Sequence, residues 1–237
     1  MILTAHQPQY LPWLGLFHKI ALADKFCFFD VAQYRTKSFN RNSIKTPQGS
    51  MFLTVPVLSK GYREKEFHEI EINSELDWRK DHFKSLLVNY KRAPFFSTYA
   101  DFFEDTYKKE WKYFGELTEY MLKWFLEELG ISVAFLKASD QQFEGTGSER
   151  VLDMCKKLGA RVYIFGTLGK GYANTKEFEE AGVRPYFQEY LHPSYPQLWG
   201  EFLSNMSVID LLFNCGPNSL EVLMKGNVTK EDLKKKF

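Results

Sequence analysis

Residues 1–30 read MILTAHQPQYLPWLGLFHKIALADKFCFFD, and the fold is decided in this stretch. Ile2 to Ala5 is a short apolar run that ends at His6-Gln7-Pro8. Beyond a loop containing Pro8 and Pro12, Leu14 to Ala23 carries Leu14, Phe17, Ile20 and Ala21 at helical spacing. Lys25 to Phe29 is apolar again, and Asp30 closes it. Strand, helix and strand in so short a span make a βαβ unit. A connection holding a helix is a crossover rather than a hairpin, so the two strands are expected to be parallel.

The same alternation returns at the far end of the chain. Ser132 to Lys137 reads as a strand, and Thr146-Gly147-Ser148-Glu149 has the spacing of a capping box opening a helix to Leu158, with Gly159 behind it. Val162 to Phe165 is another strand. Asn174 and Glu177 open a short helix that ends at Gly182, and Val183 to Phe187 is a further strand. Short helices at Val208 to Asn214 and Asn218 to Met224 follow. The charged tail Lys230 to Phe237 is expected to fray. Between the two halves, Gln33 to Gly49 is polar and offers little for a core, while Met51 to Val57 and Glu66 to Ile72 are strand candidates. Asp77 is placed to cap a helix from Trp78 to about Arg92, and Ser97 one from Thr98 to about Leu129. In the second, Phe103, Tyr107, Trp111, Phe114, Leu117, Met121, Phe125 and Leu129 form a stripe that belongs to the core. The expected architecture is α/β, a mostly parallel sheet flanked by helices. Residues 1–237 are read as one domain, with a helical insertion near 76–129.

Composition removes several classes of function. With 44% apolar and 26% charged residues over 237 positions, the chain has the make-up of a globular protein large enough to bury a core without staples. The 31 basic and 30 acidic residues leave a net charge of +1, which argues against nucleic acid as a general partner. Three widely spaced cysteines, Cys27, Cys155 and Cys215, form neither a zinc knuckle nor a CxxC motif and are expected to be inert core thiols. The absence of an export signal and of an apolar run that could span a bilayer points to the cytoplasm and away from membranes. Aromatic residues make up 17% of the chain, a supply that suits both a core and a site with flat walls.

In a parallel sheet, ligands gather beyond the carboxyl ends of the strands, and four polar segments fall at or near such positions. The first is His6-Gln7-Pro8-Gln9-Tyr10-Leu11-Pro12-Trp13, with His18 and Lys19 on the helix behind it. His6 is a candidate general base, and two prolines stiffen the loop. The second runs from Gln33 to Lys45, where Arg35, Lys37, Arg41 and Lys45 suit a phosphate or carboxylate and Asn40 and Asn42 suit a sugar or nucleotide. The third, Phe165-Gly166-Thr167-Leu168-Gly169-Lys170-Gly171-Tyr172, offers backbone N–H groups to an anion. The fourth, Tyr190-Leu191-His192-Pro193-Ser194-Tyr195-Pro196-Gln197, repeats the chemistry of the first. Asp210 and Asn214, one helical turn apart, are placed to orient a histidine or to cap the helix. His6, His18, His192, Asp30 and Asp210 are capable metal ligands. They share no HxH, HExxH or HxxxH spacing, and no tightly bound metal is expected.

These segments resemble the WbqC-like protein family. The resemblance rests on His6 to Gly15 with Phe17-His18-Lys19-Ile20, on Ala23-Asp24 and Asp30, on Asn40-Arg41-Asn42 with Ile44-Lys45, and on Leu53-Thr54-Val55-Pro56-Val57. It continues through Glu149-Arg150, Tyr163, Gly166, Tyr172, His192-Pro193, Tyr195, Gln197 and Ser207 to Asn214 with Gly216, nearly the whole chain. Thr167 and Leu168 depart from it, where similar sequences are richer in serine and glycine. The resemblance implies an enzyme of surface-polysaccharide (O-antigen) or related biosynthesis, of a kind described as acyl or aminoacyl (glycine) transferases.

The expected activity is therefore transfer of an acyl or aminoacyl group to an amine of a sugar nucleotide or similar anionic metabolite. His6, His192 and Asp210 are the catalytic candidates. Gln7, Tyr10, Trp13, His18, Lys19, Asp30, Gln33, Lys37, Asn40, Arg41, Asn42, Lys45, Gly166, Tyr172, Tyr195, Gln197 and Asn214 are the candidates for substrate binding. Two alternatives stand beside it. One is a nucleotide-dependent ligase or nucleotidyltransferase, to whose HxGH group there is a weaker likeness, with Tyr10-Leu11-Pro12-Trp13 in the four positions. The other is a non-catalytic ligand-binding protein. Among macromolecules, tRNA would meet residues 35–45. No donor, cofactor or oligomeric state is assigned by these residues.

Overall fold

The computed structural model describes every residue except Thr36, Lys37 and Ser59. Five parallel strands form one sheet in the order β5-β2-β1-β6-β7: β1 (Ile2–His6), β2 (Lys25–Phe28), β5 (Ala134–Lys137), β6 (Val162–Phe165) and β7 (Arg184–Phe187). The chain builds outward from β1 to β2 and β5, then returns to the other side of β1 for β6 and β7. Between β1 and β6 the direction of winding reverses, which makes their carboxyl ends the switch point of a doubly wound sheet.

Alternation along the strands divides the core. Phe26 and Phe28 of β2 face a layer built on α1 (Leu14–Ala21), which also takes in the helices inserted before β5 and those after β7. Cys27, between them, joins Leu3, Tyr163 and Phe165 against α5 (Gly147–Leu158) and Phe178 of α6 (Thr175–Glu180). A strand with both faces covered must be apolar at every position, as Lys25–Phe28 nearly is. All three cysteines are buried and free. Burial pushes the Cys27 and Cys155 thiols well up and Cys215 to about 11, away from reactive thiolate.

Several expectations need correction. The polar stretch before Gly49 does enter the core: Arg41–Thr46 is strand β3, paired antiparallel with β4 (Gly49–Thr54). Its Ser43, Ile44, Lys45 and Thr46 are buried; Lys45 Nζ bonds Gln197 Oε1 far along the chain, and Thr46 Oγ1 bonds the Gly49 carbonyl within the hairpin. Glu66 to Ile72 is not a strand. It holds a single 3-10 turn, Phe67–Glu69, whose ends are tied by a reciprocal Glu66–Glu69 cap, with isolated bridges at Gln33–Glu66, Glu71–Tyr113 and Val57–Ile72.

After α2 (Trp78–Tyr90), the long helix divides into α3 (Phe96–Lys108) and α4 (Phe114–Glu128). The apolar stripe continues through the break because the two helices pack against each other. Phe102 stacks on Trp124 at 3.8 Å between ring centroids, and Trp111 lies on Tyr120 at 5.2 Å. The Trp111 indole donates to the Thr106 carbonyl at 2.8 Å. Ser207, not Asp210, caps α7 (Val208–Cys215), and α8 (Ser219–Met224) follows. The tail is a helix, α9 (Lys230–Lys236), with a Thr229–Asp232 capping box, a buried Leu233 and a Lys230–Asp24 ion pair of 2.8 Å. No helix among the described residues is long and apolar enough to cross a membrane.

Candidate functional site at the carboxyl edge of the sheet

The loop leaving β1 is pinned from all sides. Tyr10 N–H donates to the Phe39 carbonyl at 2.8 Å, Asn42 Nδ2 to the Leu11 carbonyl at 2.6 Å, and Val208 N–H to the Pro12 carbonyl at 2.8 Å. The Tyr10 hydroxyl is buried in a chain with Tyr107 and with His82 Nδ1. Leu11 is held at φ 45°, a left-handed conformation rare for a bulky residue. Strain of this kind survives only where the surroundings over-determine it. The Trp13 ring lies over Gly15, where an added Cβ would come within 2.1 Å of it, and edge-on to Tyr190 at 5.9 Å.

Two titratable groups sit at the end of β1. His6 is half-buried, and its Nδ1 is 2.8 Å from the Gln7 carbonyl. A carbonyl only accepts, so Nδ1 carries the proton and Nε2 keeps its lone pair. Burial first, then the charge of Lys19, lowers His6 to about 3. Lys19 reaches from α1 and is 5% exposed, its Nζ donating to the Ala5 carbonyl at 2.9 Å. Burial alone brings its ammonium down to about 7, and no carboxylate among the described residues forms an ion pair with it. A buried lysine without a carboxylate is costly, and such groups collect where a ligand supplies the missing charge.

Across the switch point, Gly166 opens a 3-10 turn, Thr167–Gly171. Gly166 and Gly171 have nothing within 4 Å of where a Cβ would stand, leaving their backbone open on that side. Asn174 N–H donates to Ser148 Oγ at 3.1 Å, tying this loop to the start of α5. Tyr172 is 55% exposed and Leu168 87%. His18 is spent on structure: Gln188 Nε2 donates to its Nδ1 at 2.7 Å, and its Nε2 faces the Val228 carbonyl at 3.0 Å.

The remaining candidates form a second, interior group. The Asp210 carboxylate is fully buried and accepts from the Tyr90 hydroxyl at 2.8 Å, the Tyr195 hydroxyl at 2.9 Å and Gln197 Nε2 at 2.7 Å. Burial raises its carboxyl above the ordinary value against those bonds. Lys45 Nζ bonds Gln197 Oε1 and the Glu201 carbonyl, and Asn214 Nδ2 bonds the Asp210 carbonyl. His192 stands beside this network. Its ring meets Tyr190, Tyr195 and Phe202, its Nδ1 lies 3.0 Å from the Pro193 carbonyl, and its Nε2 accepts from Asn205 N–H at 3.1 Å.

The structure therefore distributes the sequence candidates. His6, Gln7 and Lys19 stand at the end of β1, with Gly166 and Tyr172 in the loop after the neighbouring β6. Tyr10, Asn40 and Asn42 brace the first loop or its neighbours; Asn40 Nδ2 bonds the Val55 carbonyl at 2.6 Å, while its buried Oδ1 has no partner among the described residues. Arg41 lies over the Phe52 ring on the exposed face of the β3–β4 hairpin, and Gln33 bonds the Arg63 carbonyl at the surface. Lys37 lies outside the described residues.

Asp30 belongs to a feature that sequence patterns missed. An open pocket of about 460 Å³ lies beyond the carboxyl ends of β2 and β5, with Asp30, Lys65, His68, Glu71, Glu116 and Lys137 among its walls. Asp30 is 1% exposed and accepts from Ser139 N–H at 2.9 Å and Ser139 Oγ at 2.7 Å. The alternation of charge over Lys65 to Glu71 was the available signal, but it reads as the wet face of a strand.

The profile of the WbqC-like protein family matches residues 7–222. The chain is 34% identical over 220 residues to a protein of Mycobacterium tuberculosis (strain ATCC 25618 / H37Rv) named "Uncharacterized protein Rv1507c", covering 92% of this chain and 95% of that one. No solved structure matches. The profile spans the Asp210 network and the carboxyl-edge residues from Gln7 onward, starting one position after His6, and the chain belongs to the WbqC-like protein family.

Proposed function

We propose that this chain is a cytoplasmic biosynthetic transferase that moves an acyl or aminoacyl group onto the amine of a small anionic metabolite, of the sugar-nucleotide kind used in surface-polysaccharide synthesis. One observation carries the reading: Lys19, buried beside His6 with no carboxylate partner among the described residues, stands where the winding of the sheet reverses. Phosphate or carboxylate of a ligand would supply the missing negative charge, and the Gly166–Gly171 loop would present backbone N–H groups to it.

In the transfer, the amine nitrogen attacks the acyl carbonyl carbon. A C–N bond forms, the bond to the donor's leaving group breaks, and the proton lost by nitrogen leaves with that group. Near neutral pH no second proton rests on a histidine lowered to about 3, so His6 serves as a neutral hydrogen-bonding partner. Lys19, brought to about 7, is the group able to hold a proton and release it there. His192 and Asp210 act at a remove, by fixing the segment that packs on Trp13 through Tyr190.

A doubly wound sheet also suits a nucleotide, which keeps a ligase or nucleotidyltransferase as the second reading. The two are separated by offering the protein a UDP-amino sugar with acyl-coenzyme A, or ATP or CTP with magnesium. We expect thermal stabilisation by the UDP-amino sugar, and thiol release that is abolished in Lys19→Met and reduced in His6→Ala. Stabilisation and turnover with the triphosphates alone would overturn the transferase reading.

A further inference from the structure

We propose that the pocket beyond β2 and β5 is a subsite for a primary amine, bound as its ammonium, which gives one proton to a lining carboxylate before the free amine attacks. As the acceptor half of the transfer it rests on the function proposed above. Its place supports this. The Phe29 N–H donates to the His6 carbonyl at 2.8 Å, so the strand that leads to Asp30 leaves the sheet alongside the end of β1. Adjacent strands are about 4.8 Å apart. An anionic group held at Lys19 and an amine held in the pocket can therefore belong to one substrate.

The charges lining the cavity select the class of ligand. Both of its ammonium groups are already committed: Lys65 to Glu71 at 3.4 Å, and Lys137 to Glu119 at 3.1 Å with Asp30 at 4.0 Å. Asp30 is further satisfied by Ser139. Two more carboxylates line the cavity, Glu69 and Glu116. Among the described residues, Glu69 accepts the Glu66 N–H at 2.9 Å and no other side-chain bond, and Glu116 forms no ion pair. An entering anion would meet lysines that are already paired and two exposed carboxylates without an ion pair among the described residues, the charge of Glu116 being felt by Lys112. An entering ammonium finds acceptors on Glu69 and Glu116 without breaking either lysine pair. The cavity, at about 460 Å³, has room for an amino sugar ring. Cavity, strand-end position and committed lysines carry the inference together.

Glucosamine and N-acetylglucosamine share a ring and differ in charge at nitrogen, which makes them the probes. Binding is measured by calorimetry and by titration of the His68 ring resonances, with no acyl donor present. We expect glucosamine to bind at least tenfold more tightly than N-acetylglucosamine and to shift the His68 signals. Its affinity should fall at least fivefold in the double variant Glu69→Gln, Glu116→Gln. Glutamine at 69 can still accept the Glu66 N–H, so that variant should unfold at the wild-type midpoint. Equal binding of the two sugars, unchanged affinity in the double variant, or no glucosamine binding would overturn the proposal. Lys19→Met keeps the outcomes separate: glucosamine binding should survive there while turnover is lost. A chain that binds glucosamine but never transfers would sink the transferase and leave the subsite standing.

Discussion

Replacing Lys19 by methionine tests whether the lysine at the end of β1 is held in the core at an energetic cost. The side chain keeps its length and apolar stem and loses its charge. Burial brings the ammonium from the 10.5 of a free lysine to about 7, and at 1.36 kcal/mol for each tenfold this amounts to about 5 kcal/mol. The sign follows from proton counting. Between about pH 7 and 10.5 the unfolded chain binds a proton at this position that the folded chain has released, so the wild type gains stability as pH rises through that window. Integrating the linkage gives a gain of about 3.5 kcal/mol from pH 7 to pH 10 that the variant lacks. Loss of the hydrogen bond to the Ala5 carbonyl offsets about 2 kcal/mol of the variant's advantage. Lys19→Met should then be roughly 2 kcal/mol more stable than wild type at pH 7 and roughly 1 kcal/mol less stable at pH 10. Urea unfolding followed by tryptophan fluorescence at pH 7, 8, 9 and 10 measures the difference, in which every group common to both chains cancels. A difference that stays constant within about 0.5 kcal/mol across that range would refute the reasoning. Carriage of so costly a residue fits a site kept for binding at the expense of stability.

Three further substitutions test the frame around the site. Asp210→Asn puts an amide donor among three groups that already donate, and should cost about 3 kcal/mol or more, read as a fall in the urea midpoint with unchanged slope. Gly216→Ala places a Cβ within 2.4 Å of the Phe95 ring at a φ of +53°. At roughly 3 kcal/mol it should lower the melting temperature by about 6–12 °C, and a melting temperature within a degree of wild type would show that Phe95 moves freely. Leu233→Ala should cost about 2–4 kcal/mol and speed amide exchange in α9 ahead of the sheet; equal exchange in both would mean that α9 is not a separately opening unit.

The elements that were legible in the chain are those written in local periodicity. Ile2 to Phe29 announced a parallel unit because an apolar run, an amphipathic turn and a second apolar run lie within the reach of one crossover. The helix-spaced stripe from Phe103 to Leu129 announced core correctly, yet hid the break after Lys108. The folded-back helix offers its apolar residues to the same interior, where Phe102 stacks on Trp124, and the Trp111 indole satisfies the Thr106 carbonyl at the break. Arg41 to Thr46 was illegible for the opposite reason. Its buried Lys45 is met by Tyr90, Gln197 and Glu201 from far along the chain, and no window of sequence contains both sides of those bonds.

The candidate site divides along the same line. Residue types and strand-end position single out His6, Gln7, Lys19 and Gly166 in the sequence alone, since loops that follow parallel strands open to one edge. That His18 and His192 are occupied with other partners, that Lys19 lacks a carboxylate, and that Asp30 faces a charged pocket roofed by Lys65 to Glu71 were matters of tertiary packing. Which elements form, and which of their faces turn inward, follow from periods of two and 3.6 carried by neighbouring residues. Which buried charge is left unmatched depends on desolvation and on groups more than a hundred positions away, and only the folded chain sets those.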